Sequence, residues 1–206
     1  MQKSFPRDEI TGLVLAGGQA RRMGGVDKGL VEVAGKPMIE HVLAILGPQV
    51  GRVLINANRS LERYGGYGHR VVTDSLGGFQ GPLAGILSAL EVTETDLLLT
   101  VPCDSPLLAP DLAGCMFEAL SGATADLAVA HDGSRQQPVF LLLRRSLAAD
   151  LGEFLAAGGR KIDQWFARHR VVEADLSHRP ESFVNVNDPD ERARVEAMLL
   201  SRSSEA

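Results

Sequence analysis

Apolar positions along this 206-residue chain recur with two different periods. Short runs rich in Leu, Ile and Val, bounded by Gly, Asn, Asp or Pro, fall at residues 10–16, 53–57, 70–73 and 96–101, and they predict buried strands. Between the first two, Met38, Ile39, Val42, Leu43, Ile45 and Leu46 stand at helical spacing. Pro37 suits a first turn, so a helix is expected over 37–46. Residues 82–92 and 111–120 predict two more helices. Strand and helix alternating in this order imply a parallel sheet covered on both faces: a single three-layer, doubly wound, mostly parallel α/β domain. The later pattern is less regular. Strands are expected at 126–130, 138–143, 171–174 and 183–186, helices at 147–157 and 161–169, and a closing helix after Asp188 and Pro189, a cap and first-turn pair. There is no internal repeat or low-complexity stretch, so one domain spans 1–206, with fraying expected before about Glu9 and after about Leu200.

Composition adds exclusions. Hydrophobic residues make up 45% and charged residues 23%, which allows a well-filled core and does not indicate disorder. A net charge of −5 argues against a nonspecific nucleic-acid binder. The two cysteines, Cys103 at the end of a strand-like run and Cys115 in a helix-like one, fit free thiols in a reducing compartment. The opening MQKSFPRDE has no apolar segment of the secretory kind, and no run approaches a membrane span. A cytoplasmic protein is expected, with neither nucleic acid nor membrane as partner.

Ligands of such sheets sit beyond the carboxyl ends of the strands. After the first strand comes LAGGQARRMGGVDKGL, residues 15–30. Gly17, Gly18, Gly24 and Gly25 permit tight turns and let backbone N–H groups close on an anion, and Arg21, Arg22 and Lys28 add three cations. A triphosphate needs such a cradle; the plain alternative is a glycine-rich turn with solvated cations. The spacing matches neither common phosphate fingerprint. Asp104 ends an apolar strand, where an unpaired carboxylate is costly without a cation, although Asp-Ser-Pro is also a helix-cap signal. Asp74 reads as an acceptor for base or ribose donors, or as a cap. Asn56 reads as a base contact or as a strand terminator. Gly81–Gly85 can lie under a base and start a helix at once. Asn185 and Asn187 alternate on the expected strand and so face one side, as ligand contacts or as turn chemistry before Asp188. The histidines show no convincing metal spacing, His131 reads as a turn residue, and Trp165 reads as a packing anchor.

The loop at 15–30 resembles the signature of nucleotidyltransferases that activate sugars and cofactors. With NANR at 56–59, Asp74-Ser75, GPLAG at 81–85, PCDSP at 102–106, Gln137-Pro138 and FVNVN at 183–187 in order, the chain resembles the molybdenum cofactor guanylyltransferase family over nearly its whole length. The first and last several residues and the wording of 144–180 fall outside the likeness. The resemblance implies a Rossmann-like nucleotidyltransferase fold, with a GTP half at about 9–108 and an acceptor half at about 109–200. It implies transfer of GMP from GTP to the terminal phosphate of molybdenum-bound molybdopterin. Pyrophosphate is released and the guanine dinucleotide form of the cofactor is made.

Leu15, Ala16, Gly17 and Lys28 correspond to the GTP-binding loop, Asn56 and Asp74 to further nucleotide contacts, and Asp104 to the Mg2+ ligand. Gly18 is expected where backbone meets phosphate. Arg22, Lys28 and Asp104 are the expected catalytic groups, the first two on the β- and γ-phosphates. GTP would fill the first half of the sheet edge, which leaves Arg135, Gln137, Asn185 and Asn187 as acceptor-binding candidates. The wider superfamily often places an aspartate at position 187 as a second metal ligand; asparagine there puts two-carboxylate coordination in doubt. Alternatives are a molybdopterin cytidylyltransferase, a sugar-1-phosphate nucleotidyltransferase and a non-catalytic nucleotide-binding module. Delivery proteins or apoenzymes are expected as transient partners.

Overall fold

A computed structural model describes residues 5–17, 19–20, 26–75 and 81–204. In chain order its elements are β1 (Ile10–Leu15), β2 (Gln19–Ala20), β3 (Val26–Asp27), β4 (Glu32–Val33), β5 (Lys36–Pro37), α1 (Met38–Leu46), β6 (Arg52–Asn56), α2 (Leu61–Gly65) and β7 (Arg70–Val72). They continue with α3 (Pro82–Val92), β8 (Leu97–Pro102), α4 (Leu112–Gly122), β9 (Leu127–His131), β10 (Gln136–Arg144), α5 (Ala148–Ala156), α6 (Ile162–Phe166), β11 (Val171–Asp175) and α7 (Pro189–Ser204).

The apolar runs become a seven-stranded sheet in the order β11-β9-β10-β8-β1-β6-β7. Every pairing is parallel except those of β10, which runs antiparallel to β8 and β9. The strands carry apolar side chains on both faces because both faces are covered. From β1 and β8, Ile10, Val14, Leu97, Leu99 and Val101 pack against α1, α2 and α4. Leu13 and Leu98 point the other way, into the layer made with α3, α5 and α6. Trp165 lies fully buried in that second layer with its indole N–H on Asp150 Oδ2 at 2.8 Å, a packing anchor as expected. Between Gln137 and Leu141 the register of β10 shifts. There the buried Thr100 hydroxyl donates to the Val139 carbonyl and accepts the Leu141 N–H, satisfying groups the ladder leaves over.

Two expectations need correction. Residues 183–186 do not join the sheet: a 3-10 turn at Pro180–Phe183 leads into extended chain, whose Val186 N–H donates to the Asp104 carbonyl instead of to a strand. The expected helix at 161–169 is only the short α6. Neither α2 nor the two small ribbons, β2 with β3 and β4 with β5, stood out in the pattern, since none carries a periodic apolar face. A third apolar cluster of Val31, Val33, Met38, Leu107, Val186 and Val195 docks α7 beside β4. Among the described residues no helix is long and apolar enough to cross a membrane.

Candidate active site

The carboxyl ends of β6, β1 and β8 lie side by side, and the sequence puts polar residues just beyond each. At β8 the chain turns at Asp104, whose Oδ2 accepts from Lys28 Nζ at 2.8 Å. The same ammonium donates to Asn187 Oδ1 at 2.5 Å. The Lys28 and Asp104 side chains are only 18% and 12% exposed, so each would be costly without the other. Asn187 is held from its own side. Asp188 Oδ1 caps α7 by accepting the N–H groups of Asp190 and Glu191, and Glu191 Oε2 reaches back past the cap to accept the Asn187 N–H at 2.7 Å. Asn185 takes a different partner, accepting from the Ser105 hydroxyl at 2.6 Å.

Lys28 is presented by a loop pinned from below. Its neighbour Asp27, with a side chain 6% exposed, pairs with Arg59 Nη2 at 2.7 Å. A Cβ at Gly29 would come within 3.0 Å of Tyr64 Oη and 3.3 Å of Cys103 Sγ, so a larger residue there would have to push these neighbours back by a few tenths of an ångström. Burial, then the nearby Cys103, raises the Tyr64 pKa; burial, then Asp104, raises that of Cys103. Burial therefore favours the neutral thiol at Cys103 over the thiolate.

At β6, Asn56 is 4% exposed and its amide is fixed. Nδ2 donates to Asp74 Oδ1 at 2.9 Å and to the Val72 carbonyl at 3.2 Å. Asp74 Oδ2 accepts from Asn58 Nδ2 at 2.8 Å, while the Asp74 N–H donates to Asn58 Oδ1 at 2.9 Å. Asn56 Oδ1 accepts no hydrogen bond among the described residues. It lies beside Gly85 in α3, where a Cβ would overlap it and come within 2.9 Å of Leu15 Cδ2, and 4.0 Å from where a Gly17 Cβ would stand. Of the expected backbone contacts, the Ala16 N–H is already given to the Asn56 carbonyl and the Leu15 carbonyl accepts from the Cys103 N–H.

Lys28, Asp104 and Asn187 are thus brought into one cluster, and Asn56 and Asp74 into another, with Leu15 and Gly17 between. Gly18 and Arg22 lie outside the described residues. Arg135 and Gln137 are not joined to either cluster. Gln137 Nε2 donates to Asp132 Oδ2 at 2.6 Å, and Arg135 contributes its backbone N–H to Asp132 Oδ1 while its side chain is exposed. Partial burial raises the Asp132 pKa, but bonds from Ser134, Arg135 and Gln137 outweigh it and hold the carboxyl below its ordinary range. Asn58, Arg59 and Asp27 fall inside the blocks singled out in the sequence but are given no role there; the alternation of asparagines at 56 and 58 is the available signal. Elsewhere Asp111, Cys115 and His178 gather ligand atoms within 4.8 Å of one another, a grouping that sequence spacing does not show, and His178 Nε2 already pairs with Asp111 at 2.8 Å.

A mostly parallel three-layer sheet with this polar carboxyl edge is a Rossmann-like fold with its ligand site beyond the strand ends. The chain belongs to the MobA-like NTP transferase domain family, which it matches over residues 12–179. It is 53% identical over 190 residues to a molybdenum cofactor guanylyltransferase of Shewanella amazonensis, covering 92% of this chain and 97% of the relative. It is 51% identical to one of Shewanella sp. (strain MR-4), covering 93% and 97%. Among solved structures, the molybdopterin-guanine dinucleotide biosynthesis protein A of Archaeoglobus fulgidus superposes with a TM-score of 0.77 at 24% identity, over 93% of this chain and 99% of that one, a likeness of fold.

Proposed function

We propose that this enzyme transfers GMP from GTP onto the terminal phosphate of molybdenum-bound molybdopterin, with Mg2+ as cofactor. The observation that carries the reading is the Lys28–Asp104–Asn187 cluster at the end of β8, two strand spacings, about 10 Å, from the Asn56–Asp74 cluster at the end of β6. A nucleotide laid across β1 reaches from one to the other, base over Gly85 and phosphates at Lys28. Relatives about half identical in sequence bear the name of this activity.

In the reaction an acceptor phosphate oxygen bonds to the α-phosphorus of GTP, and the bond to the β-phosphate oxygen breaks, so pyrophosphate leaves with its electron pair. The nucleophile is already an anion and needs no general base. The chain's part is positioning and charge. Lys28 meets the phosphates as a point charge, joined by Arg22, with the backbone at Gly18 close to phosphate. Asn56 receives the base on an acceptor. Asn185 and Asn187 would meet the incoming phosphate, the exposed Arg135 side chain could join them, and Gln137 would take part only by exchanging its bond to Asp132.

The donor set fits magnesium: a carboxylate and an amide oxygen, both hard ligands, already converge on one cation, the Lys28 ammonium. Asp104 would hold the ion directly and Asn187 directly or through water; bound there, it supplies positive charge beside the α-phosphate. A cytoplasmic setting and hand-over of product to delivery proteins or apoenzymes belong to the same reading.

The test is pyrophosphate release from each of the four ribonucleoside triphosphates, with Mg2+ and purified molybdopterin cofactor. GTP should be preferred on the order of 10²-fold or more. Equal turnover of CTP or ATP would overturn the assignment.

A further inference from the structure

We propose that Asn58 is a positioning residue for base selection, acting through Asp74 to keep the carbonyl of Asn56 turned toward the base. The inference rests on the reading that GTP is the donor. An asparagine amide carries a donor end and an acceptor end of nearly the same shape, so whichever end faces the base depends on what binds the other. Behind Asn56 stand two groups that only accept: the Asp74 carboxylate and the Val72 carbonyl. Together they draw Nδ2 away and leave Oδ1 facing the gap between Gly17 and Gly85. Guanine offers donors on its N1 and N2 edge, whereas adenine presents an acceptor at N1. An acceptor buried this deeply and left unpaired is costly, so the polarity of one amide discriminates the bases.

That polarity is only as firm as Asp74. Asp74 lies in coil two residues beyond β7, partly exposed, and Asn58 clamps it at two points, one on its backbone N–H and one on its carboxylate. The Asn58 clamp takes Oδ2, which leaves Oδ1 aimed at Asn56. Asn58 itself is exposed and outside the apolar clusters, so it contributes to this orientation and little to the core.

The experiment compares wild type with Asn58→Ala and Asn58→Asp in steady-state kinetics with GTP and with ATP, alongside thermal melting. Aspartate keeps the size but removes the donor and sets a second carboxylate against Asp74, so it should be at least as damaging as alanine. The expected result is a KM for GTP raised about tenfold, kcat nearly unchanged, and a GTP-over-ATP preference reduced about tenfold, with melting nearly unaltered. A guanine-selective wild type whose variants keep the same preference would overturn this inference alone, as would a fall in kcat and stability with selectivity intact. A wild type indifferent to the base would sink the functional reading and this inference together.

Discussion

At the ends of β6, β1 and β8, polar side chains reach across the chain for their partners. Lys28 bonds to residues 76 and 159 positions away, and Asn56 to one 18 positions away. At the end of β6, Asn56 Oδ1 accepts no hydrogen bond among the described residues. At the β9–β10 turn the opposite holds: Asp132 collects its hydrogen bonds from Ser134, Arg135 and Gln137, all within five residues. The edge at β6, β1 and β8 is held by long-range bonds, whereas the β9–β10 turn has closed its polar groups on itself. Fixed donors cost no reorganisation when charge develops, which is what phosphoryl chemistry asks of the first half. A bulky acceptor entering the second half has to exchange hydrogen bonds that are already made.

The contrast breaks most sharply at the Lys28 cluster. Asp104→Asn and Lys28→Ala should each lower single-turnover pyrophosphate release by about 10²–10³-fold, and the double variant should lose much less than the product of the two. Full additivity in that cycle would show that the two side chains do not act as a unit. A smaller effect is expected at the base: Gly85→Ala forces a methyl against Asn56 Oδ1 and Leu15, destabilising by about 1–3 kcal/mol and raising the KM for GTP more than it lowers kcat. Unchanged GTP affinity by titration would remove Gly85 from the base pocket.

The smallest effect belongs to the second half. Arg170, by hydrogen bonds and charge, holds the Asp126 carboxyl down to about 2 at the entry of β9. The folded value lies below the unfolded one, about 3.9, so the stabilisation is present above pH 4 and is lost as pH falls toward 2. Arg170→Gln should therefore lower the melting temperature by about 2 °C at neutral pH and converge with wild type in acid, leaving GTP turnover untouched. A constant offset across that range would assign the effect to packing.

The sequence made the first half of the fold legible because its strands are buried on both faces and read as continuous apolar runs, with the chemistry in local motifs such as VDKG and PCDSP. Lys28, Asp104, Asn56 and Asp74 were all visible there. The expectation of a strand at 183–186 fails although the period there is that of a strand, because Phe183 closes a 3-10 turn and the chain beyond it joins no strand. Its hydrogen-bond partner, Asp104, lies 82 positions back, where no local pattern can point. Gln137 is an acceptor candidate because GTP is expected over the first half of the sheet edge, and the sequence carries no sign that its side chain bonds to Asp132. Asn58 and Arg59 sat inside a recognisable block, yet their roles depend on Asp74 and Asp27, which only the folded chain brings near.

Asn187 joins a cluster whose other two members lie in the first half of the chain, and it is fixed there by the cap of the last helix. On the ribosome, therefore, β1, β6, β7 and β8 are all made long before the Lys28 ammonium can find its second oxygen. A nascent chain halted ahead of residue 187 has both members of the Asn56–Asp74 pair and only two of the three members of the Lys28–Asp104–Asn187 cluster. The three-residue polar cluster at the end of β8 is therefore completed late in synthesis, once α7 docks beside β4 and holds Asn187 against Lys28.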